Sequence, residues 1–480
     1  MVAVLEGTFR VQTTARPSLL VSADGRGVVS HAGSRLLADL AERTTLTAEL
    51  SAALAGLARP RAVHDSGRVL VDLAVAVADG AECISDIAVL ADQPRLFGPV
   101  ASDSTVWRLL DQLGEPELAA VGAARAAARE VVWAQRAEVC GAPVPAVRAA
   151  GQMLPGLVID VDASIVECHS EKEQAAPTFK STFGYHPILA FCDNSGEFLA
   201  GLLRPGNAGA NTAADHITVL DQALAQLPDA HRHGTPVLVR ADGAGCSKAF
   251  LAHIRGLRDQ AVATEFTVGW AVTDRERDAI GRLPARAWTP AVDAEGRHRP
   301  GAHVAELTDL LPAGTLGDYP PGTRILIRRE RPHPGAQLDA FEDRDGWRYQ
   351  CLATDTGIGQ LAFLDARHRA HARIEDRIRC GKDTGLGRFP SRTFAINAAW
   401  LTAVILAVDL ISWAQTLLLH DHPTLAKAEP KTLRYRLLHV AARLVRGGRR
   451  HRLRLDAAWP WAAALATAFT RCAALPQPVR

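Results

Sequence analysis

Through the first 150 residues, apolar positions recur every three or four places, the spacing that gives a helix one buried stripe. "SRLLADLAERTTLTAELSAALAGL" predicts helix on this ground, and the alanine-rich "ELAAVGAARAAAREVVWAQRAEV" predicts a long connecting helix. Between them, "GAECISDIAVLADQPRLFGPVASDSTVWRLLDQLG" predicts a helix, a broken turn and a second helix. Ser102 or Ser104 would cap that second helix by accepting from its free N–H groups. A short hairpin is expected near residues 1–30.

At residue 151 the period shortens to that of strands. "GLVIDVDASIVEC", "GYHPILAFCD" and "GEFLAGLLRPG" predict three strands, the last two joined by "NSG". "NTAADHITVLDQALAQL" predicts an amphipathic helix capped by Asn211 or Thr212. A strand in "TPVLVRADGAG", a helix in "SKAFLAHIRGL" and a strand in "TEFTVGWA" follow. The order βββαβαβ implies an antiparallel meander, then crossovers that suit parallel pairing. Residues 275–360 are rich in Pro and Gly and hold β-like pieces such as "TRILIRRER" and "WRYQCLATD", so they read as a β-rich insertion. Helical spacing returns in "LDARHRAHARIEDRIRCGKDTG", ended by Gly385 or Gly387. "FAINAAWLTAVILAVDLISWAQTLLL", residues 394–419, is long enough to span a bilayer. Asn397, Asp409 and Gln415 interrupt it, and charge at bilayer depth is costly, so it reads as a helix buried in a large core, with no membrane partner. The expected organisation is a mostly helical region 1–150, an α/β body in two parts, 151–274 and 361–425, a β-rich insertion 275–360 between them, and a basic helical region 426–480.

Charges interrupt this pattern at a few places. Asp160 and Asp162 stand two apart in the strand "LVIDVDASIVE" and so share one of its faces. Apolar neighbours cover both faces, and an unpaired charge in an apolar core costs several kcal/mol, roughly. A wet sheet surface is the plain alternative; a cation site at the strand's centre fits the flanking pattern better. Asp242 ends the strand "VLVRADGAG" where glycines begin, and catalytic groups of α/β folds gather at such strand ends, although a helix cap is equally common there. Glu375 lies beside the stripe marked by Ile374 and Ile378, with Lys382 two turns on and His371 and His368 one and two turns back. An exposed helix laced by pairs such as Glu375–Arg379 is the plain reading. A zinc site from His368, His371 and Glu375 lacks a recognised spacing. Taken together, Asp162, Asp242 and Glu375 offer hard oxygen ligands from two strands and a helix. Clustered without a counter-ion they would resist ionising. Two Mg²⁺ ions, or Mn²⁺ in their place, held roughly 3.5–4 Å apart would resolve that and suit phosphoryl transfer.

At 480 residues, the chain is expected to fold as two or three domains. Its net charge of +2 hides an asymmetry: from Lys431 onward there are 11 Lys or Arg and one acid, Asp456, while the rest carries a net −8. A basic tail on an acidic body suggests a polyanionic partner, the alternative being a solvated helix face. The tail's candidate phosphate contacts are Arg434, Arg436, Arg443, Arg446, Arg449, Arg450, Arg452 and Arg454. Trp107 and Arg108, on the second helix of the N-terminal pair, are further DNA candidates. Trp288 or Trp347 in the insertion would stack on an unpaired base or simply pack in the core. Eight cysteines without a CxxC pair fit a reducing cytoplasm, and the first residues lack the pattern of a signal peptide.

The segments "VIDVDASIVE", "VLVRADGAGCSKAF" and "RAHARIEDRIRCGKDTGLGRFP", with the N-terminal "CISDIAVLADQPRLFGPVASDSTVWRLLDQL", resemble the DDE transposases of the IS1380 insertion-sequence family, related to the wider IS4 group. The 133 residues between Asp242 and Glu375 match the place where that group carries a β-rich insertion. Its helix signature, Tyr-x2-Arg-x3-Glu-x6-Lys, falls here on His368, His371, Glu375 and Lys382, so the glutamate and lysine fit and both other positions are histidine. The family's first aspartate precedes a small and then a hydroxyl residue. Asp162-Ala163-Ser164 fits, which selects Asp162 and leaves Asp160 as a supporting group. The resemblance implies an RNase H-like mixed sheet flanked by helices, with a helical N-terminal DNA-binding domain. It implies two Mg²⁺ ions on Asp162, Asp242 and Glu375, Lys382 on a phosphate near the cut, and cut-and-paste movement of an element with terminal inverted repeats. The freed 3′-hydroxyl then attacks a second phosphodiester, which in the IS4 group can lie on the opposite strand and give a hairpin. A dimer on DNA, a target DNA and a bacterial, nucleoid-associated location are expected from it. A non-transposing RNase H-like nuclease and a DNA-binding protein with an inactive catalytic fold are the competing expectations.

Overall fold

The computed structural model describes residues 21–58, 62–169, 171–448 and 450–476. The hairpin expected near residues 1–30 lies mostly outside these stretches, and Arg449 lies wholly outside them. The main strands are β1 (Leu157–Ala163), β2 (Ile188–Cys192), β3 (Phe198–Leu202), β4 (Val237–Ala241), β5 (Thr264–Trp270), β6 (Thr289–Val292), β7 (His298–Glu306), β8 (Arg324–Glu330), β9 (Arg348–Thr354), β10 (Ala442–Gly447) and β11 (Arg450–Leu455). The main helices are α1 (Ser66–Asp79), α2 (Asp103–Gln112), α3 (Glu115–Cys140), α4 (Ala213–Ala225), α5 (Lys248–Gly256), α6 (Leu361–Arg369), α7 (Arg373–Gly381) and α8 (Phe394–Trp413).

Nine strands form one mixed sheet in the order β6-β7-β8-β9-β5-β4-β1-β2-β3. β1, β2 and β3 make the expected antiparallel meander. The crossovers through α4 and α5 lay β4 parallel to β1 and β5 parallel to β4. The strands of 275–360 join the central sheet: β9 pairs antiparallel with β5, with Thr267 opposite Thr354 and Trp270 opposite Cys351, so the segment prolongs that sheet. The physical reason is the exposed ladder that β5 would otherwise present at its open edge.

The N-terminal helix pair is only half present. α2 forms as one helix, whereas the segment before it breaks into Ile84–Ile87, Ala88–Ala91 and Pro94–Phe97. The basic tail also differs from the helical expectation. Its arginine-rich stretch alternates apolar and charged residues, and that period of two makes an antiparallel hairpin, β10–β11, with Gly448 in the left-handed region at φ 57°. A helix, Ala462–Ala474, follows it.

The apolar segment 394–419 forms α8 and a π turn, Ala414–Leu418. Phe394–Leu418 is long and apolar enough to cross a membrane, yet 72% of its most apolar window is buried within the protein. Its one acid explains the arrangement. Asp409, fully buried, meets Arg125 at 2.9 Å and Arg129 at 2.7 Å, both from α3, and accepts from the Phe198 amide at 3.2 Å. Arg129 also pairs with Glu197 at 2.7 Å, and Glu197 takes the indole N–H groups of Trp413 at 2.7 Å and Trp133 at 3.1 Å. The connecting helix, the core helix and the β2–β3 turn are thus locked through buried charge that is fully partnered. Asp409→Ala leaves two buried guanidinium groups short of a partner. It is expected to cost about 3–5 kcal/mol of unfolding free energy, read by urea denaturation; a loss under about 1 kcal/mol would show the network to be dispensable.

Candidate functional site

β1 and β4 run parallel in a register that sets Arg240 beside Asp160 and Ala241 beside Val161. The β1–β4 ladder ends at Ala241, and Asp242, the next residue, acts through its charge on Asp162. Side chains two apart share a face, so two rows of charge follow one another along the pair of strands.

The first row is closed by ion pairing. Arg240, with no exposed surface, donates Nε to Asp160 Oδ1 and Nη2 to Asp160 Oδ2, both at 2.7 Å. The same Nη2 reaches Asp193 at 2.7 Å, and Nη1 reaches the Arg367 carbonyl at 3.2 Å. Burial by itself would raise the Asp160 pKa, but Arg240 and His371 hold it below the usual carboxylate range. Asp160 is therefore no free ligand. It supports the site as an anchor, through a 2.8 Å contact from its Oδ1 to Nδ1 of His371. Asp193 anchors Arg373 in the same way, at 2.7 Å. These two contacts pin the chain at the N-terminal end of α7, one turn before Glu375.

The second row is left open. Among the described residues, Asp162 Oδ1 accepts only from the Ala163 amide, at 2.8 Å, and Asp242 Oδ1 caps a short 3₁₀ turn through the Ala244 amide, at 2.9 Å. Asp242 thus serves as a cap and faces the site at once. Burial, then the charge of Asp242, and in smaller part that of Glu375, raise the Asp162 carboxyl to about 6, against the opposing influence of His371 and the Ala163 amide. The charges of Asp242 and Glu375 both act on Asp162. Arg379, the expected partner of Glu375, turns instead to Asp376 at 3.2 Å and Glu429 at 2.8 Å, and Glu375 has no ion pair among the described residues. The adjoining β5 leaves room for the Asp242 turn only because residue 269 is glycine: a Cβ there would stand 2.6 Å from the Gly243 amide nitrogen. Asp162, Asp242 and Glu375 are oxygen donors of the kind a divalent cation takes, and among the described residues they are not drawn into a group with all ligand atoms within 4.8 Å of one another.

The other expected site residues fall into two groups. Lys382 reaches the β1 end, donating to the Ile165 carbonyl at 2.8 Å; burial lowers its pKa, opposed by Glu167 and Asp162. His368 is turned to Thr267, at 3.1 Å, and burial with neighbouring cations pushes its imidazole down to about 3. Arg434 is corrected from DNA contact to structural cation. It is 8% exposed and donates to the carbonyls of Ala78 at 2.9 Å and Asp383 at 2.8 Å. Arg436 lies over the Trp461 ring at 4.8 Å. Arg443, Arg446, Arg450, Arg452 and Arg454 are exposed on the hairpin. The register pairs Arg443 with Arg454, Val445 with Arg452 and Gly447 with Arg450, so one face of the ribbon carries four arginines. Trp107, 44% exposed, and Arg108 sit on the surface of α2. Trp288 and Trp347 hold Arg329 between them, at 4.1 and 4.6 Å. A separate group, His31, Asp79 and His439, places its ligand-type atoms within 4.8 Å of one another, but these atoms are already bonded: His31 Nδ1 to the Asp79 carboxylate at 2.6 Å, and His439 Nε2 to the Asp79 carbonyl at 2.7 Å.

Arg240, Asp193 and Arg373 were not singled out from the sequence. The signal was present for Arg240, which stands two before Asp242 just as Asp160 stands two before Asp162. Nothing in the sequence points to Asp193 or Arg373.

A family model described as "Transposase DDE domain group 1" matches residues 11–477. No curated protein matches the chain. Among solved structures, a piggyBac transposase synaptic complex with hairpin DNA is similar at 10% identity and a TM-score of 0.39, over 84% of this chain and 80% of that one.

The raised Asp162 carboxyl has a stability consequence. Its folded value lies above the ordinary 3.8, so the folded chain holds this proton more tightly than the unfolded chain, and stability is lost as pH rises from about 4 through about 6. Asp162→Asn is expected to stabilise the metal-free protein by about 1–3 kcal/mol at pH 7.5, with the gain shrinking toward pH 4. Urea titrations at several pH values measure this, and a variant less stable than the parent at pH 7.5 would contradict it.

Proposed function

The chain belongs to the family of transposases with a group 1 DDE domain, and on that premise we propose that Asp162, Asp242 and Glu375 hold divalent ions for DNA strand cleavage and strand transfer. The action of the Asp242 and Glu375 charges on Asp162, where the β1–β4 ladder gives out, is the observation that carries this reading. Bound there, a pair of Mg²⁺ or Mn²⁺ ions would polarise a phosphodiester and ease loss of the proton from the attacking hydroxyl. The chain's own part is to fix the donors. The β1–β4 register sets the two aspartates, and the anchors on His371 and Arg373 set the helix that carries Glu375. Lys382, beside the β1 end, is placed to meet a phosphate near the scissile bond.

In this reading water opens the phosphodiester at the element end, leaving a 3′-hydroxyl and a 5′-phosphate. The 3′-hydroxyl then attacks a second phosphodiester and releases its 3′ oxygen. Within the family we place the chain with the IS1380 type, on the motif spacing around Asp162, Asp242 and Glu375. Two ends must be held together for cut-and-paste movement, which calls for a dimer on DNA, and a nucleoid-associated bacterial location follows. The four-arginine face of the hairpin is suited to phosphates read without regard to sequence, and Trp107 and Arg108 offer a second DNA-facing surface.

The cleavage test uses full-length protein, Mg²⁺ and DNA carrying the inverted repeats that flank its gene. Asp162→Ala, Asp242→Ala and Glu375→Ala are each expected to slow cutting at least about 10²-fold; three variants that cut like the parent would refute the assignment. Equal cutting of DNA without the repeats would favour a non-transposing nuclease. Separately, changing Arg443, Arg450, Arg452 and Arg454 together to Ser is expected to make the plot of log affinity against log salt shallower by about 3–4. An unchanged slope in a binding titration would take the hairpin out of the DNA interface.

A further inference from the structure

We propose that the cleft at the foot of the β10–β11 ribbon receives an unpaired nucleobase, from a DNA strand whose phosphates follow the ribbon's arginine face. The inference rests on the DNA reading given above for that face and adds to it a pocket for a base.

The chain around the cleft supplies aromatic rings. Pro430–Leu433 and the π turn Arg434–Leu438 carry Tyr435 to the surface, where it is 64% exposed. Its ring meets Trp459 at 5.6 Å and Trp461 at 5.9 Å between centroids, and the two indoles meet each other at 5.2 Å. All three contacts are edge-on rather than stacked. The cluster is braced from within the chain: the Trp459 indole N–H donates to the Arg436 carbonyl at 2.8 Å, and the Arg436 guanidinium covers Trp461 at 4.8 Å. An aromatic ring held in place yet left in water is suited to stacking on a base, because little freedom is lost when the base arrives. Beside it lies a cavity of about 650 Å³, whose lining includes Lys431, Tyr435, His439, Ala441, Asp456 and Trp459. That volume falls in the range of small-ligand sites, which are likewise mostly apolar with a few polar groups.

The ribbon's register joins this cleft to the arginines. Ala441 and Asp456 each stand two residues from a ribbon arginine, and those two, Arg443 and Arg454, are opposite one another. Exposed Ala441 and Arg443 flank buried Ala442, so the period of two carries the arginine face down to the cleft. Asp456 places an acid in the lining, with Oδ1 on the Ala458 amide at 2.9 Å. A carboxylate opposes a phosphate there but accepts N–H groups from a base edge, so the base and not the backbone suits the cleft. A base within a duplex offers only its edges; the ring of Tyr435 requires one that has left the stack.

The experiment uses full-length protein in EDTA, so that no cutting intervenes, and two fluorescent duplexes. One carries a single-stranded adenine overhang, and the other the same overhang made abasic, which keeps the phosphates and loses the bases. The parent is expected to bind the first at least about 10-fold more tightly. Tyr435→Ala is expected to abolish that ratio and Tyr435→Phe to keep it. Changing Arg443, Arg450, Arg452 and Arg454 to Ser is expected to weaken binding of both probes and leave the ratio in place. No preference in the parent, or a preference that survives Tyr435→Ala, overturns the proposal while the arginine face stands. If Tyr435→Ala also dissociates a dimer in analytical ultracentrifugation without any change in the ratio, the cleft belongs to a second copy of the chain and the proposal falls. Four-serine protein that binds both probes like the parent removes the arginine path and this proposal together. Should Tyr435→Ala fail to fold, 5-iodouracil in the overhang bound to the parent decides: photo-crosslinks to Tyr435 or Trp459 support the cleft, and crosslinks confined elsewhere overturn it.

Discussion

One guanidinium organises the centre of this protein. Arg240 lies in the middle of the sheet with no exposed surface, and it binds Asp160 on the neighbouring strand, Asp193 beyond the next one, and the carbonyl of Arg367 at the end of α6. Burying that charge is costly unless every donor is met and the partners are themselves held. Here the two acids are met in turn by His371 and Arg373, so the network passes from the sheet into the chain that begins α7. The position of Glu375 is in this way tied to the register of two strands more than 100 residues away in sequence.

The two rows of charge on β1 and β4 divide the work. The inner row, Asp160 with Arg240, is neutralised and stabilises the architecture. The outer row, Asp162 with Asp242, forms no ion pair among the described residues, and the rise of Asp162 to about 6 expresses that imbalance. A fold that can neutralise one acid completely could have done so for the next. Leaving the second row open stores repulsion that a cation there would relieve.

The rest of the molecule supports this centre by similar means. Asp409 and Glu197 gather Arg125 and Arg129, so the long helix of the N-terminal region is fastened to the core by charge as well as by apolar packing. The strands of 289–354 continue the sheet past β5, which covers an edge next to the Asp242 turn and keeps Gly269 in close approach to it. At the far end of the chain, period-two alternation puts Arg443, Arg450, Arg452 and Arg454 on one face of the hairpin and Ala442, Leu444, Leu453 and Leu455 on the other.

Much of this was legible beforehand. Alternation and helical spacing determined the meander, the crossovers and the buried helix, because side-chain periodicity reports directly on which face is wet. The residue types at Asp162, Asp242 and Glu375 marked them as oxygen donors at strand ends and beside a helix stripe. The hairpin was misread as helix because arginine suits either structure, and only the apolar residues between the arginines carry the period. What the tertiary structure alone decided was partnership: that Asp160 belongs to Arg240 and Asp162 does not, that Arg379 pairs with Glu429 rather than Glu375, that Arg434 is buried, and that His371 meets Asp160 through one nitrogen while the other has no partner among the described residues. A local sequence specifies how a side chain is directed from its own backbone. Which charge it meets depends on strand order and register, and those are set by contacts between segments hundreds of residues apart.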